Sequence, residues 1–359
     1  MTSVSSANST ELGYGVSTTS QDPLVSCPAC GGQAAHAWSA PAGEQGLSDF
    51  GVAICSTCGT GVTEGDFPVD AELYEKGSYA PERARGAGLA APILRQFDRR
   101  RLQFIGSRFK APARVIDAGC GRGRFVAAAA AAGYDSAGVE PTERGNFGAR
   151  NMYGIELIQA DIETAPVTPG SCDVVSLWHV LEHVPDPGQI VDVLKDWLGP
   201  GGGLLVGVPN FGSVQARVAR TRWYHLDLPR HRTHFTEAGL HALLARHGLV
   251  VVQSDHQMME HNWFGMWQTA VSRFTSRPSY FFHLLKRNAP VKSADLVISL
   301  LALPLVPLAI LAELVSGARR SGGSIAVLAI KPDCAAQIEV QRDSNSSFEP
   351  QMVRNAGVG

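Results

Sequence analysis

One stretch of the sequence decides the fold: Val115-Ile116-Asp117-Ala118-Gly119-Cys120-Gly121-Arg122-Gly123. Its apolar start predicts the end of a buried strand, and its three alternate glycines predict a tight turn that opens a helix. Glycine at such a turn lets a ligand approach the backbone closely. The stretch therefore predicts a ligand-binding loop at the carboxyl end of a strand.

Short apolar runs alternate with helical patterns on the C-terminal side of this loop. Helical patterns cover 125–132, with an end at Gly133, then 188–198, and a segment that Thr236 can cap and that ends at Gly248. The predicted strands are 113–118, 135–140, 155–160, 173–178, 203–208, 249–255 and 324–331. This alternation predicts an α/β fold with a mainly parallel sheet that helices cover on both faces.

Two acidic residues, Glu140 and Asp161, follow the next two strands. A carboxylate at the position of Glu140 can accept hydrogen bonds from ribose hydroxyls. The D-x-G-x-G-x-G spacing of 117–123 resembles class I S-adenosylmethionine-dependent methyltransferases, whereas NAD-binding folds have G-x-G-x-x-G. The resemblance covers 111–256 and 324–331, and it implies a Rossmann-like, seven-stranded methyltransferase sheet whose last two strands are antiparallel.

The resemblance also implies a cofactor, S-adenosyl-L-methionine, and the residues around it. The family's contacts fall on Asp117, Gly119, Gly121 and Gly123 for the methionine part, Glu140 for the ribose, Asp161 and Ile162 for the adenine, and His179 at the end of the fourth strand. The alternative is that the glycine turn holds NAD or no ligand.

A histidine-rich segment, W-H-V-L-E-H-V-P-D-P over 178–187, follows the fourth strand. H-x-x-E-H matches an inverted zinc-protease motif, but that motif needs both histidines on one helix, and Pro185 and Pro187 interrupt this one. The segment resembles the E-x-x-E-H-V stretch of ubiquinone-pathway O-methyltransferases, some of which bind a divalent metal there. Because His179 replaces the first Glu, the sequence argues against a metal. His183 is the candidate general base; the alternative is that it only braces the loop.

A second histidine-rich segment, 223–236, resembles the P-x-H-x-x-x-F-[TS] segment that follows strand five in many small-molecule methyltransferases. The resemblance places it over the substrate pocket. It makes His231 and His225 candidate catalytic or substrate-contacting residues, while Phe235 is expected in the core. Since no N-P-P-Y or D-P-P-Y follows strand four, a nucleobase amine is a less favoured acceptor.

Four of the seven cysteines form two C-x-x-C pairs, each followed by glycine: Cys27, Cys30, Cys55 and Cys58. Four thiolates in two such turns predict a closed tetrahedral Zn²⁺ site of the structural kind; the alternative is redox-active or unliganded cysteines. A ribbon of this kind before a methyltransferase resembles sugar C-methyltransferases and zinc-finger rRNA guanine methyltransferases. Residues 25–65 contain no Lys or Arg, which argues against RNA.

The chain has 359 residues and a formal net charge of −2, with 45% apolar residues, so it can bury a large core and is a poor nucleic-acid binder. The N-terminus has no basic start and no apolar block, so we expect a cytoplasmic protein. The predicted division is a disordered tail at 1–24, a zinc ribbon at 25–65, a helical linker at 66–110, the methyltransferase domain at 111–332 with an apolar insertion at 257–323, and a flexible tail at 333–359.

Within the insertion, residues 296–312 read LVISLLALPLVPLAILA, without a charge. This length is at the lower limit of a membrane span, and Pro304 and Pro307 interrupt it. Because the strands on either side must pair in one sheet, we expect a short re-entrant hairpin or an apolar lid. Lys and Arg number seven between 271 and 322, against Asp295 and Glu313, which favours peripheral contact with an anionic membrane on its inner face. The alternative is a buried helical pair that roofs the pocket or forms a dimer contact.

These observations predict a methyltransferase that uses S-adenosyl-L-methionine and carries a structural Zn²⁺. The expected acceptor is a hydroxyl or an activated carbon on a small or lipid-linked metabolite, such as a glycan or a quinone-like compound. Two alternatives stay open: a nucleotide-sugar C-methyltransferase, and a non-catalytic zinc-ribbon scaffold with a vestigial Rossmann domain. The sequence does not determine the oligomeric state.

Overall fold

The computed structural model describes residues 24–42, 48–65, 87–258, 262–285 and 290–333, with side chains of the first helix described from residue 94. The predicted tails at 1–24 and 333–359 lie outside these ranges except for their innermost residues. The first part of the predicted linker, 66–86, also lies outside the described residues.

The described residues form two sheets, and the larger has six strands. In chain order these are β5 Arg114–Ala118, β6 Asp135–Val139, β7 Cys172–Trp178, β8 Leu198–Pro209, β10 Val250–Asp255 and β11 Ser324–Ile330. They lie side by side in the order β10-β11-β8-β7-β5-β6. Strands β5, β6, β7 and β8 run parallel, and β11 is antiparallel to both β8 and β10. The α/β class and the antiparallel pair at the end of the sheet are therefore confirmed.

The described residues form six strands in this sheet, one fewer than the seven predicted. The strand expected at 155–160 is reduced to one bridge between Ile158 and Val139. At this edge, Ile158 donates to the Gly138 carbonyl and accepts from Glu140, at 2.8 and 3.0 Å. Glu156 and Gln159 on either side are exposed, and the chain turns away at Asp161, so pairing stops there.

Helices flank the sheet and place its loops. They are α1 Ala87–Gly106, α2 Arg124–Ala131, α3 Glu143–Tyr153, α4 Pro187–Trp197, α5 Val214–Ala219 and α6 Glu237–Arg246. The predicted cap of α6 is present, because the Thr236 hydroxyl accepts from the Gly239 amide. Asp186 caps α4 in the same way, with Pro187 in the first turn, where proline is accommodated.

The smaller sheet is antiparallel and has the order β1-β2-β3-β4-β9. Its strands are β1 Val25–Ser26, β2 Gln33–Ala40, β3 Phe50–Cys55, β4 Gly61–Glu64 and β9 Thr233–His234. The first four strands carry the cysteine pairs, whereas β9 belongs to the second histidine-rich segment. One buried apolar cluster includes Cys27 and Cys58 together with Leu243 and Leu177, so the core continues from one sheet to the other.

Between β10 and β11, the described residues form four helices: α7 Asn262–Val271, α8 Tyr280–Leu285, α9 Ser293–Leu301 and α10 Val306–Ala318. A single 3-10 turn at 303–305 joins α9 to α10, so 293–318 forms one apolar helical segment instead of a hairpin. It has 26 residues, and an 18-residue window within it has a mean hydropathy of 2.3, which is enough by length and composition alone to cross a membrane. Pro304 and Pro307 lie in the turn and in the first turn of α10, so they do not end the helix.

Candidate functional site

The glycine loop joins β5 to α2, and its three glycines have different surroundings. Gly119, Gly121 and Gly123 all have positive φ, at 68°, 56° and 70°. A Cβ at Gly119 would lie 2.5 Å from Val180, and one at Gly123 would lie 2.6 Å from Ile155, so these two allow close packing. A Cβ at Gly121 would meet nothing within 4 Å among the described residues. Gly121 is therefore the glycine whose backbone a ligand can approach.

Glu140 ends the second parallel strand and faces this loop. Its Oε2 accepts from the Gly121 amide at 2.9 Å, and its Oε1 accepts from the amide of Thr142 at 3.1 Å and from the Thr142 hydroxyl. The carboxylate thus holds the loop to the N-terminus of α3. At the same edge, Asp161 is exposed after the Ile158 bridge, and Ile162 is buried next to it.

Asp117 is buried and is paired inside the protein. The Arg101 guanidinium, from α1, lies 3.0 Å from its Oδ1 and also donates to Ser176. Burial raises the pKa of Asp117, although Arg101 counteracts this. The guanidinium is sandwiched between Phe125 and Trp178, at 3.7 and 4.5 Å from the ring centroids. Sequence analysis did not assign Arg101; the available signal is the run of three arginines at 99–101, because helical periodicity turns different faces of such a run inward and outward.

His179 lies at the end of β7 in a left-handed conformation, with φ of 53°. Its Nδ1 is 3.0 Å from Oε1 of Glu182, a residue that sequence reasoning quoted in the motif but did not assign. Burial alone would raise the pKa of Glu182, but the hydrogen bond from His179 lowers it to about 2. The second carboxylate oxygen of Glu182 is buried and has no hydrogen-bond partner among the described residues.

His183 and His231 come from the two histidine-rich segments and meet with ring centroids 4.6 Å apart. Nδ1 of His183 donates to the Arg230 carbonyl at 3.2 Å, and Nδ1 of His231 donates to the His225 carbonyl at 2.7 Å. A neutral imidazole that donates through Nδ1 has its lone pair on Nε2. Burial lowers the pKa of His183 to about 4, so its imidazole is neutral at pH 7.

Backbone hydrogen bonds join the two segments. The Glu182 carbonyl accepts from the amides of Arg232 and Thr233, at 2.8 and 3.2 Å. Between the segments lies a cavity of about 280 Å³. Its lining includes His179, His183, His225, His231, Phe282 and His283. The three predicted catalytic histidines therefore share one cavity, whose lining includes His179 and none of the glycine-loop residues.

Glu182, His183 and His231 also bring three ligand atoms within 4.8 Å of one another, a set that could hold a metal ion. The donor set differs from the motif that the sequence compared, because His231 comes from the other segment. Spacing within 178–187 alone could not reveal this arrangement.

The four predicted metal-ligating cysteines converge at one end of the smaller sheet, with all sulfurs within 4.8 Å of one another. Sγ of Cys27 lies 3.7 Å from Sγ of Cys58, and Sγ of Cys30 lies 3.5 Å from Sγ of Cys55. A tetrahedral zinc site with bonds of about 2.3 Å has sulfur–sulfur separations of about 3.8 Å. The residues therefore fit Zn²⁺.

The cysteine-bearing sheet contacts the second histidine-rich segment directly. Thr63 on β4 donates through its hydroxyl to the His231 carbonyl, and its amide donates to the Arg232 carbonyl at 3.0 Å. The Thr236 hydroxyl donates to the Cys58 carbonyl at 2.6 Å. The sheet thus supports the backbone that carries His231, a link that no sequence pattern indicated.

Comparison with known proteins agrees with this architecture. Residues 91–254 match the family model described as a methyltransferase domain. The chain is 35% identical over 104 residues to a ubiquinone biosynthesis O-methyltransferase from Bordetella bronchiseptica, covering 27% of this chain and 43% of that protein. It is 32% identical over 125 residues to the protein of the same name from Thiobacillus denitrificans, covering 33% and 53%. The chain thus spans about half the length of these curated relatives.

Two solved structures are also similar. A methyltransferase from Thermotoga maritima has 20% identity and a TM-score of 0.42, with 68% of this chain and 91% of that chain covered. A methyltransferase from Archaeoglobus fulgidus has 19% identity and a TM-score of 0.43, with 73% and 100% covered. Residues 91–254 therefore carry a methyltransferase domain. The chain also has the cysteine-bearing sheet, the histidine cavity and the apolar insertion described above.

Proposed function

We propose that the protein transfers the methyl group of S-adenosyl-L-methionine to a hydroxyl or an activated carbon of a small or lipid-linked metabolite. The observation that carries this proposal is the histidine cavity, which begins at His179 on the same sheet edge as the glycine loop. Ligands of open α/β sheets gather at this edge. The name of the relatives, ubiquinone biosynthesis O-methyltransferase, favours a quinone-like acceptor over a glycan.

The residues of the loop fit the cofactor. Gly121 presents open backbone, Glu140 supplies a carboxylate for ribose hydroxyls, and Asp161 with Ile162 would flank the adenine. Because its carboxylate is buried and paired with Arg101, Asp117 would support the cofactor site from beneath the loop. When bound, the cofactor supplies a methyl group already activated on a sulfonium.

The cavity residues orient the acceptor. Nε2 of neutral His183 can accept the hydrogen bond of an acceptor hydroxyl and hold its oxygen toward the cofactor side. The low pKa of His183 makes it a weak base. It therefore takes the hydroxyl proton late, once the acceptor oxygen has begun to form its bond to the methyl group. His231 and His225 complete the wall that positions the acceptor.

We further propose that the chain divides as predicted, into a zinc ribbon, a linker, a methyltransferase domain and tails. Within the ribbon, we propose that the four cysteines hold one structural Zn²⁺. The expected result is one zinc per chain by metal analysis, lost in Cys58→Ser and kept in Cys172→Ser, whose thiol lies in the larger sheet. Zinc-free protein, or equal zinc in both variants, would contradict the assignment.

We also propose a cytoplasmic location with peripheral contact at the inner face of the membrane. The support is the helical segment 293–318, in which an 18-residue window with a mean hydropathy of 2.3 is only 17% buried. Exposed apolar surface of this extent is typical of a site that contacts another apolar phase.

Calorimetry with S-adenosyl-L-methionine tests the central proposal. Wild-type protein should give saturable heat, and Gly121→Val should abolish it. Gly154→Val is the matched control, because Gly154 also has a positive φ, 67°, and open space around its Cβ position, but it caps the far end of α3. Absence of saturable heat with wild type would favour the non-catalytic scaffold. Equal loss in both variants would mean that backbone strain, not the binding site, explains the effect.

A further inference from the structure

The helical segment 293–318 has its polarity reversed relative to a helix on a water-soluble protein. Its buried positions are polar or small: Asp295, Ser299, Ala309, Glu313, Ser316 and Gly317. Its exposed positions include large apolar side chains, with Leu301 at 76% and Leu308 at 62% exposure, and also Val297, Leu300, Leu303, Leu305, Leu311 and Leu314. Water favours the opposite arrangement, whereas a hydrocarbon phase favours this one.

The segment is fixed to the protein at its start, middle and end. Oδ1 of Asp295 accepts from the Ser276 amide at 2.9 Å. The indole of Trp267 donates to the Ala302 carbonyl at 2.8 Å. The Glu313 carboxylate accepts from Gln215 and from the Gly323 amide, at 2.7 and 2.8 Å. Because these anchors run along its length, the segment lies against the protein and exposes one side only. It can lie in a membrane surface without crossing the bilayer.

Exposed basic side chains lie at both ends of the segment. Lys292 precedes its first residue, and Arg319 and Arg320 follow its last, with Arg320 also paired to Glu237. Arg273 is exposed in the loop after α7. Cations at the rim of an apolar helix face are suited to anionic lipid head groups, while the leucines enter the acyl boundary.

Helix α8 packs between the segment 293–318 and the histidine cavity. Phe281 packs toward the segment, with its ring centroid 5.4 Å from that of Trp267, in a cluster that includes Ile298. The next two residues, Phe282 and His283, line the cavity. Helix α8 therefore lies between the cavity and the inner side of the apolar segment.

We propose that the outer face of 293–318 lies in the plane of an anionic lipid surface and that the acceptor is an amphiphile of that surface, whose head group enters the histidine cavity beside α8 while its tail stays in lipid. The acceptor half rests on the proposed methyl transfer, and the membrane half does not.

Flotation tests the membrane half, with vesicles of phosphatidylcholine alone and with phosphatidylglycerol added. The wild type should float with the anionic vesicles, and L301E/L308E should reduce the floated fraction at least ~10-fold, since two exposed leucines leave lipid. The matched control is F147E/V250E, which changes residues exposed at 65% and 54% on other elements and should float like wild type. Wild type that stays with the soluble fraction, or a control that fails equally, overturns the proposal. So does a dimer in sedimentation equilibrium that L301E/L308E dissociates, because a second copy would then cover the face.

Labelled methyl transfer tests the acceptor half. Vesicles made from a lipid extract of the source cells are incubated with protein and S-adenosyl-L-methionine carrying a tritiated methyl group. We expect label in the organic phase, its loss in L301E/L308E, and its return when the same extract is presented in detergent micelles. Label only in water-soluble products overturns the acceptor half. Absence of saturable cofactor binding in calorimetry instead refutes the proposed function, while the flotation result stands on its own.

Discussion

The Thr63 hydroxyl donates a 2.6 Å hydrogen bond to the backbone carbonyl of His231. The same oxygen lies 2.9 Å from Nε2 of His234, and both histidines are buried. A side chain of the cysteine-bearing sheet therefore determines where the backbone of a cavity residue lies.

Replacing Thr63 with valine should destabilise the protein and loosen β9. The change keeps the side-chain shape but leaves buried polar groups unpaired, at a cost of about 1–3 kcal/mol. Urea unfolding should show this loss, and hydrogen exchange should be faster at the amides of Thr233 and His234. Thr57→Val is the control, because Thr57 is exposed in the same sheet region. Equal effects of the two variants would mean that the Thr63 contact is not needed.

Replacing Arg101 with methionine should leave Asp117 buried without its countercharge. Breaking a buried ion pair on one side costs about 3–5 kcal/mol. We expect a loss of this size in the free energy of unfolding, with partial recovery in R101M/D117N, where the buried charge is absent. Arg99→Met is the control, since Arg99 lies on the exposed side of the same helix. If R101M/D117N is no more stable than R101M, the pair is not the cause.

Glu237 should make stability depend on acidity. Its Oε2 lies 3.2 Å from Nε2 of His256, and this imidazole, with Arg320, lowers the pKa of Glu237 from 4.5 to about 2. A carboxyl whose pKa is depressed in the folded state stabilises the protein above pH 4.5, and this contribution is lost as the pH falls toward 2. We expect Glu237→Gln to remove about 2–3 kcal/mol at pH 7 and to flatten the decline below pH 4.5.

Unfolding free energies measured from pH 7 to pH 3 check the Glu237 prediction. Glu156→Gln serves as the reference, because Glu156 pairs with Arg150 on the exposed surface, where such pairs contribute little. Parallel pH profiles for Glu237→Gln and wild type would show that the carboxylate is not depressed.

His183 should remain neutral across the physiological range. Because burial lowers its pKa to about 4, imidazole resonances of His183 should not titrate between pH 6 and pH 8. In addition, His183→Gln should reduce methyl transfer while cofactor binding measured by calorimetry stays unchanged. A midpoint near pH 6.5 for His183, or weaker cofactor binding in the variant, would contradict its assignment to the acceptor side.

Local patterns were sufficient to predict much of the larger sheet. The glycine spacing, Glu140 at a strand end and the Thr236 cap each depend on residues close in sequence, and each is present in the structure. The strand at 155–160 was over-predicted because an apolar pattern does not show that a run lies at a sheet edge with only one neighbour.

The remaining features depend on contacts between distant parts of the chain. The pairing of Arg101 with Asp117, the meeting of His183 with His231 and the bond from Thr63 all join residues whose proximity only the fold determines. Composition showed that 296–312 is apolar, but not that its buried side is the polar one, because burial of Asp295 and Glu313 depends on partners outside the segment.

The pairing of β4 with β9 limits how this protein can be divided in engineering work. Expressing residues 25–65 alone would expose the hydrogen-bonding edge of β4, and such an unpaired edge promotes aggregation. Exchanging this region between related enzymes would also replace the support beneath His231. A graft that preserves the architecture must therefore transfer residues 233–234 together with the cysteine-bearing strands, although they lie far apart in the sequence.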